Sequence, residues 1–331
     1  MNLEYLAFTA QGMELAAALA RALGGTPARC GAPEGLASWT ARAFRQAEGL
    51  VFVGAAGIAV RAIAPHVRSK AADPAVVVVD EAGRFAIPLL SGHLGGANDL
   101  ARRIAALLGG QAVLTTATDV RGAFAVDAWA RHQGCAVVNP AAIRRVSAKL
   151  LAGQAIALRT DWPPAGEPPP GVLLAQGADC DVRVTLRPGQ TDALVLVPRI
   201  AALGVGCRRG TPQAALEAAF SALLARGDLR PQAVRKACSL DRKQDEPGLL
   251  AFCRAHGFPL ETFGAPALQA VPGDFAASPF VERVTGVDNV CERSAVLGSG
   301  GEILVKKQAG NGVTMALALA PYSPDWRWKD E

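Results

Sequence analysis

The chain has little of what would assign it to most binding classes. Aromatic residues are 5% of its 331 residues, with two tyrosines, too few for the stacking platforms on which single-stranded nucleic acids lie. Net charge is +5 and the basic residues are dispersed, so no basic stripe for nucleic acid is present. No run approaches the ~18 apolar residues of a membrane span. The start Met1-Asn-Leu-Glu-Tyr5 lacks the basic opening of a secretory signal. The seven cysteines (Cys30, Cys135, Cys180, Cys207, Cys238, Cys253, Cys291) form no C-x-x-C pair, and no histidine stands at metal-ligand spacing. They read as reduced cytosolic thiols, which disfavours a structural zinc site. The cytoplasm is the expected address, with neither nucleic acid nor membrane as partner.

What is present is apolar. Half the residues are hydrophobic and 19% are charged, the balance of a well-buried globular enzyme, and the length calls for two or three domains. Strands are expected at Leu3–Phe8, Gly49–Gly54, Ala75–Asp80, Phe85–Leu90 and Ala112–Thr115, and helices at Met13–Leu23, Leu36–Ala47, Ile58–Ile63 and from about Asn98 to Leu108. Helices at Phe124–His132 and Ala141–Leu151 and short strands follow, interrupted by a loop at Asp161–Gly171 that holds five prolines. Beyond Arg199 a new unit opens, and it closes with a strand pair at Ile303–Lys307 and Val313–Ala320 and a polar tail.

The chemistry concentrates at Leu89–Asn98 (LLSGHLGGAN), between an apolar strand and a helix. Gly95 and Gly96 there place free N–H groups at the positive end of the helix dipole, an anion site in principle. His93 inside it, as a neutral imidazole, would move a proton near neutral pH; the alternative is a glycine turn with a surface histidine. Asp119, in Thr115–Asp119, either orients His93 or caps a helix. A second glycine turn, Gly54–Gly57, is expected at the same carboxyl edge of a parallel sheet. Arg61, His66, Arg68 and Lys70 follow it; Arg61 is the one expected to hold a carboxylate, Arg68 and Lys70 a solvated helix end.

In the last third, Gly204, Gly206 and Gly210 are spaced one residue too long for a dinucleotide fingerprint. Arg208 and Arg209 in that loop suit carboxylates instead, with Thr211 as the expected cap of a helix from Pro212. Lys243 is either a partner for substrate charge or one of several solvated charges, with Asp245 or Glu246 as a cap. Glu292, on a helix among apolar neighbours, is either an acid/base of raised pKa or a salt-bridged carboxylate.

These segments resemble the CbiG family of cobalamin biosynthesis, the cobalt-precorrin-5A hydrolases. The matching runs are Gly57–Ile63, Asp73–Asp80, Leu89–Asn98, Thr115–Asp119, Leu203–Thr211, Ser239–Gly248, Ser278–Val281 and Gly286–Glu292. The resemblance implies opening of the δ-lactone of a ring-contracted cobalt tetrapyrrole and release of acetaldehyde, giving cobalt-precorrin-5B, with cobalt carried by the substrate and no protein cofactor. It further implies an N-terminal α/β domain over 1–124, a middle α/β region over 125–199 and a CobE-like α/β domain over 200–322, the sheets mainly parallel. Chemical inference then casts His93 and Glu292 as catalytic residues. Gly57, Arg61, Ser91, Gly95, Gly96, Asn98, Thr116, Asp119, Gly206, Arg208, Arg209 and Lys243 line a substrate cleft between the end domains. Neighbouring pathway methyltransferases are conceivable partners. The competing reading is a non-catalytic carrier of corrinoid intermediates, as the CobE-like region would permit; a nucleotide-binding α/β protein is disfavoured by the absence of a Walker lysine.

Overall fold

The computed structural model of the protein describes residues 1–69, 72–177 and 179–329, leaving aside the side chain of Phe280; Lys70 therefore lies outside the described residues. Three mostly parallel sheets with helices against them occupy residues 3–112, 135–198 and 201–319, the α/β class that the pattern implies.

The first sheet has the order β2-β1-β3-β4-β5-β6, built from β1 (Leu3–Ala7), β2 (Thr26–Arg29), β3 (Gly49–Val53), β4 (Ala75–Val79), β5 (Phe85–Leu90) and β6 (Gln111–Ala112). Strands β3 and β4 are buried at every residue, which is why they read as unbroken apolar runs: both faces are covered. Successive side chains go to opposite faces. Tyr5, Val51 and Val77 meet α1 (Ala10–Leu23) and α4 (Ala97–Leu108), whereas Leu6, Phe52 and Val78 meet α2 (Leu36–Gln46) and α3 (Ala56–Ile63). Thr9 starts α1 by accepting from the Gly12 N–H at 3.0 Å.

One expectation is corrected here. Strand β5 runs antiparallel to β4, with Leu90 opposite Val76 and Ala86 opposite Val79. The Ser91–Gly96 turn therefore leaves at the amino edge of the parallel strands, while Gly54–Gly57 leaves at the carboxyl edge. Gly57 and Arg61 stand a full five-residue strand away from His93. An apolar run carries no mark of its direction, and the tight Asp80–Phe85 connection makes β5 a hairpin partner.

The second sheet is β7 (Cys135–Val137), β11 (Leu194–Pro198), β10 (Val182–Val184), β8 (Ile156–Thr160) and β9 (Val172–Leu174), in that spatial order. It follows the short α5 (Ala117–Val120) and is packed by α6 (Val126–His132) and α7 (Ile143–Leu151). The tail is not a loose polar end. Trp326 stacks on Trp129 at 5.6 Å between centroids and joins this core with Phe124. The Trp129 and Trp326 indole N–H groups donate to the Asp325 and Gly166 carbonyls, so the tail also pins the proline-rich loop.

The third sheet has the order β14-β13-β12-β16-β15, from β12 (Ala201–Cys207), β13 (Val234–Leu240), β14 (Leu260–Phe263), β15 (Glu302–Gly310) and β16 (Val313–Leu319). Its helices are α8 (Gln213–Gly227), α9 (Pro247–His256), α10 (Ala265–Gln269), α11 (Pro279–Thr285) and α12 (Val290–Ser299). Helix α12 lies directly on β12: a Cβ on Gly204 would collide with the Cys291 carbonyl. Gly204 thus serves close helix packing. Helix α8 begins at Gln213, and the Thr211 hydroxyl closes the preceding loop on the Arg208 carbonyl at 2.8 Å instead of capping the helix.

Candidate functional site

Two polar centres emerge, and the motif residues other than Gly57 and Arg61 divide between them. The first surrounds His93. Ser91, at a positive φ of 56°, donates its hydroxyl to the Asp73 carbonyl at 2.9 Å, and Gly95 packs so closely on Ser91 that no side chain fits. Gly96, in the left-handed region at φ 83°, precedes α4 and donates its N–H to the His93 carbonyl at 3.0 Å. The next N–H groups, of Ala97 and Asn98, bond the Ser91 and Gly92 carbonyls. Of the two N–H groups expected to cradle an anion at this helix start, that of Gly96 is taken by the turn's own carbonyl, and Ser91, Gly95 and Gly96 shape the turn.

The turn holds His93 between two carboxylates. Its Nε2 lies 2.9 Å from Asp119 and its Nδ1 3.1 Å from Asp127, the latter on α6 of the middle unit. Burial would lower the imidazole pKa, but the bonds to Asp119 and Asp127 and their charges outweigh it and raise the value to about 9. His93 is thus an imidazolium at neutral pH, which corrects the neutral imidazole expected from the helix dipole alone: two adjacent full charges exceed a dipole's partial one. Asp119 is in turn held below the usual carboxylate range: burial would raise its pKa, but the His93 and Arg102 bonds prevail. Asn98 Nδ2 donates to Asp119 at 2.8 Å and to the Thr116 hydroxyl at 3.2 Å. Asp99, buried at the start of α4, bonds Arg102, Arg131 and His132.

His93, Asn98, Thr116 and Asp119 therefore share one site. Sequence reasoning missed Asp127, Arg102 and Arg131, whose charges on α4 and α6 carry no mark of their partners. Arg61 is apart; it donates to the Gly57 carbonyl of its own helix at 3.1 Å.

The second centre is a cavity of about 780 Å³ in the third unit, lined by Gly206, Arg208, Arg209 and Lys243 among others. Four predicted residues thus meet there, joined by Arg242 and Lys307, which sequence reasoning passed over; Asp288 is the acid in its wall. Lys243 is committed in part. It pairs at 2.9 Å with the buried Glu246, whose other oxygen accepts from the Gly210 N–H at 2.6 Å. Glu246 occupies the position before α9 yet ties two loops together rather than capping the helix.

Glu292 is buried as its apolar neighbours imply, but its partners are hydrogen-bond donors rather than a salt-bridging cation. Its side chain accepts from the Lys307 N–H (2.7 Å), the Ala276 N–H (3.0 Å) and Asn289 Nδ2 (2.5 Å). Three donors hold it as an anchor between α12, β15 and the segment before α11. Among the described residues, no hydrogen bond or ion pair links the first sheet's unit directly to the third; His93 faces the middle unit instead. The predicted residues thus gather at two places, an interface centre around His93 and a cavity in the third unit. Among the described residues, no cluster of three or more His, Cys, Asp or Glu could hold a metal ion, and no helix is long and apolar enough to cross a membrane.

Modular α/β proteins that act on small molecules carry their sites in this way, at element ends, between units and in a concave, partly apolar cavity. The chain belongs to the CbiG family. Its models match in order: cobalamin synthesis G N-terminal over residues 38–119, the cobalamin biosynthesis central region over 124–198, and cobalamin synthesis G C-terminus over 201–318. The chain is 35% identical over 310 residues to the cobalt-precorrin-5A hydrolase of Salmonella typhimurium, covering 86% of each. It is 32% identical over 305 residues to that of Priestia megaterium, covering 84% of this chain and 80% of the relative. Protein CobE of Sinorhizobium sp is 34% identical over 119 residues, 35% of this chain and 77% of CobE. The resemblance drawn from the motifs holds.

Proposed function

We propose that this chain is an enzyme that hydrolyses cobalt-precorrin-5A to cobalt-precorrin-5B with release of acetaldehyde. The observation that carries this reading is that similarity to named hydrolases spans 86% of the chain rather than the length of CobE alone. Water adds to the lactone carbonyl and the ring oxygen departs as an alcohol on taking a proton from His93; the alcohol then returns its hydroxyl proton to the neutral imidazole as the C–C bond breaks, acetaldehyde leaves and the macrocycle keeps the electron pair. His93, as an imidazolium, suits protonation of the departing oxygen rather than abstraction of a proton from water. Asp119 and Asp127 orient the ring. The substrate's peripheral carboxylates are received by Arg208, Arg209 and Lys307 at the cavity. Cobalt belongs to the substrate, and no protein-held cofactor enters the scheme. The enzyme works in the cytoplasm, with pathway methyltransferases as neighbours.

The test is anaerobic incubation with cobalt-precorrin-5A, trapping acetaldehyde as a hydrazone, for wild type and His93→Gln. Wild type is expected to release it and the variant to slow by on the order of 10²-fold or more. Equal release removes His93 from the chemistry. No release by wild type, with the corrinoid retained, replaces the enzyme by a carrier.

A further inference from the structure

The cavity of the third unit is chemically divided. Arg208, Arg209, Lys243 and Lys307 stand on the sheet side, whereas α11 contributes Val281 and Val284. Helix α11 rides on a segment bounded by glycines at positive φ, Gly273 at 146° and Gly286 at 76°, positions where the chain bends without steric cost. Its entry is fastened at Ala276, whose N–H donates to Glu292 and whose carbonyl accepts from Asn289 Nδ2 at 3.1 Å and Lys307 Nζ at 3.3 Å. Its exit is held by Arg242, whose Nη1 donates to the Val284 carbonyl at 2.8 Å, in a last turn whose carbonyls lack helical partners. Val284 itself is 57% exposed, an apolar side chain at the cavity mouth.

We propose that Gly273–Gly286 is a lid over the cavity and that Arg242 is its specificity-determining latch, exchanging the Val284 carbonyl for a carboxylate of the substrate. The ligand class rests on the proposed function: a flat macrocycle with apolar faces and a carboxylate rim. A guanidinium binds a carboxylate through two charge-assisted hydrogen bonds but a carbonyl through one neutral acceptor. A carboxylate at the mouth therefore takes Arg242, frees the end of α11 and lets Val281 and Val284 settle on the macrocycle face. An ester or amide at the same place offers no such exchange, so the latch discriminates by charge rather than by shape.

Hydrogen–deuterium exchange tests this, with cobyrinic acid as the carboxylate-bearing cobalt corrinoid and its heptamethyl ester as the uncharged counterpart. In wild type the acid, and not the ester, is expected to slow exchange across Gly273–Gly286 several-fold and to protect the Arg208–Gly210 loop. In Arg242→Ala the end of α11 is free from the start, so the acid still protects the loop and the lid is expected to respond to the ester as well as to the acid. Arg242→Lys keeps the charge without the fork and is expected to bind the acid on the order of tenfold more weakly than wild type. A lid that still answers only the acid in Arg242→Ala, or loop protection without any lid response in wild type, overturns the latch and leaves the cavity as the binding site. Protection of neither segment overturns both the latch and the cavity as the corrinoid site.

Discussion

Asp127→Asn removes one of the two carboxylates that hold His93 and leaves its shape. The pKa of His93 rises from 6.5 to about 9, equivalent to about 3 kcal/mol of preference for the cation at ~1.4 kcal/mol per decade. Because the folded value is the raised one, this stabilisation is complete below 6.5 and is lost as pH climbs through about 9. Asp119 works in the opposite sense: its depressed pKa adds stability above the ordinary carboxylate range and gives it up as acid protonates it. The contact between the first and middle units is therefore firmest in the window between. A charge-assisted hydrogen bond contributes ~1.5–3 kcal/mol, so the Asp127→Asn substitution is expected to lower the His93 pKa by about one to two. The chain has four histidines, few enough to follow by NMR from about pH 5 to about pH 10, with His93 identified by the signal missing in His93→Gln. A His93 that titrates near 6.5 in wild type, or that is unmoved by Asp127→Asn, refutes the two-carboxylate clamp and with it the choice of proton donor over base.

Two further outcomes follow from packing. Glu292→Gln turns one of its acceptor oxygens into an NH₂ that faces an N–H, at a cost of ~1–3 kcal/mol. Its thermal midpoint is expected to fall while acetaldehyde release per folded molecule persists; a slower reaction at unchanged midpoint would make Glu292 an acid/base after all. Trp326→Ala empties a site that is 8% exposed and stacked on Trp129, and is expected to lose ~3–5 kcal/mol in denaturant melts. An unmoved midpoint would mean that the tail is a passive appendage.

Much of the site was legible where its information is local. Buried β-branched runs mark β3 and β4, and the Ser91–Asn98 glycines mark a turn into a helix. The pairing of His93 with Asp119 could be proposed because both follow neighbouring strands. The cations Arg208, Arg209 and Lys243 could be grouped by the loops that carry them. The rest depended on partners far along the chain. Nothing near Phe85–Leu90 states that it pairs antiparallel with β4, yet that direction separates Arg61 from His93. Glu292 shows its apolar neighbours in sequence but not the three donors that hold it, two of them from residues 276 and 307.

The kinds of elements, their order and the chemistry of each turn are written in stretches of about ten residues, because backbone propensity and side-chain period act over that range. Strand direction, the charge state of His93 and the commitment of Glu292, Lys243 and Trp326 were settled only when distant segments packed. Burial and electrostatic pairing depend on which groups share a small volume, and only the folded chain brings those groups together.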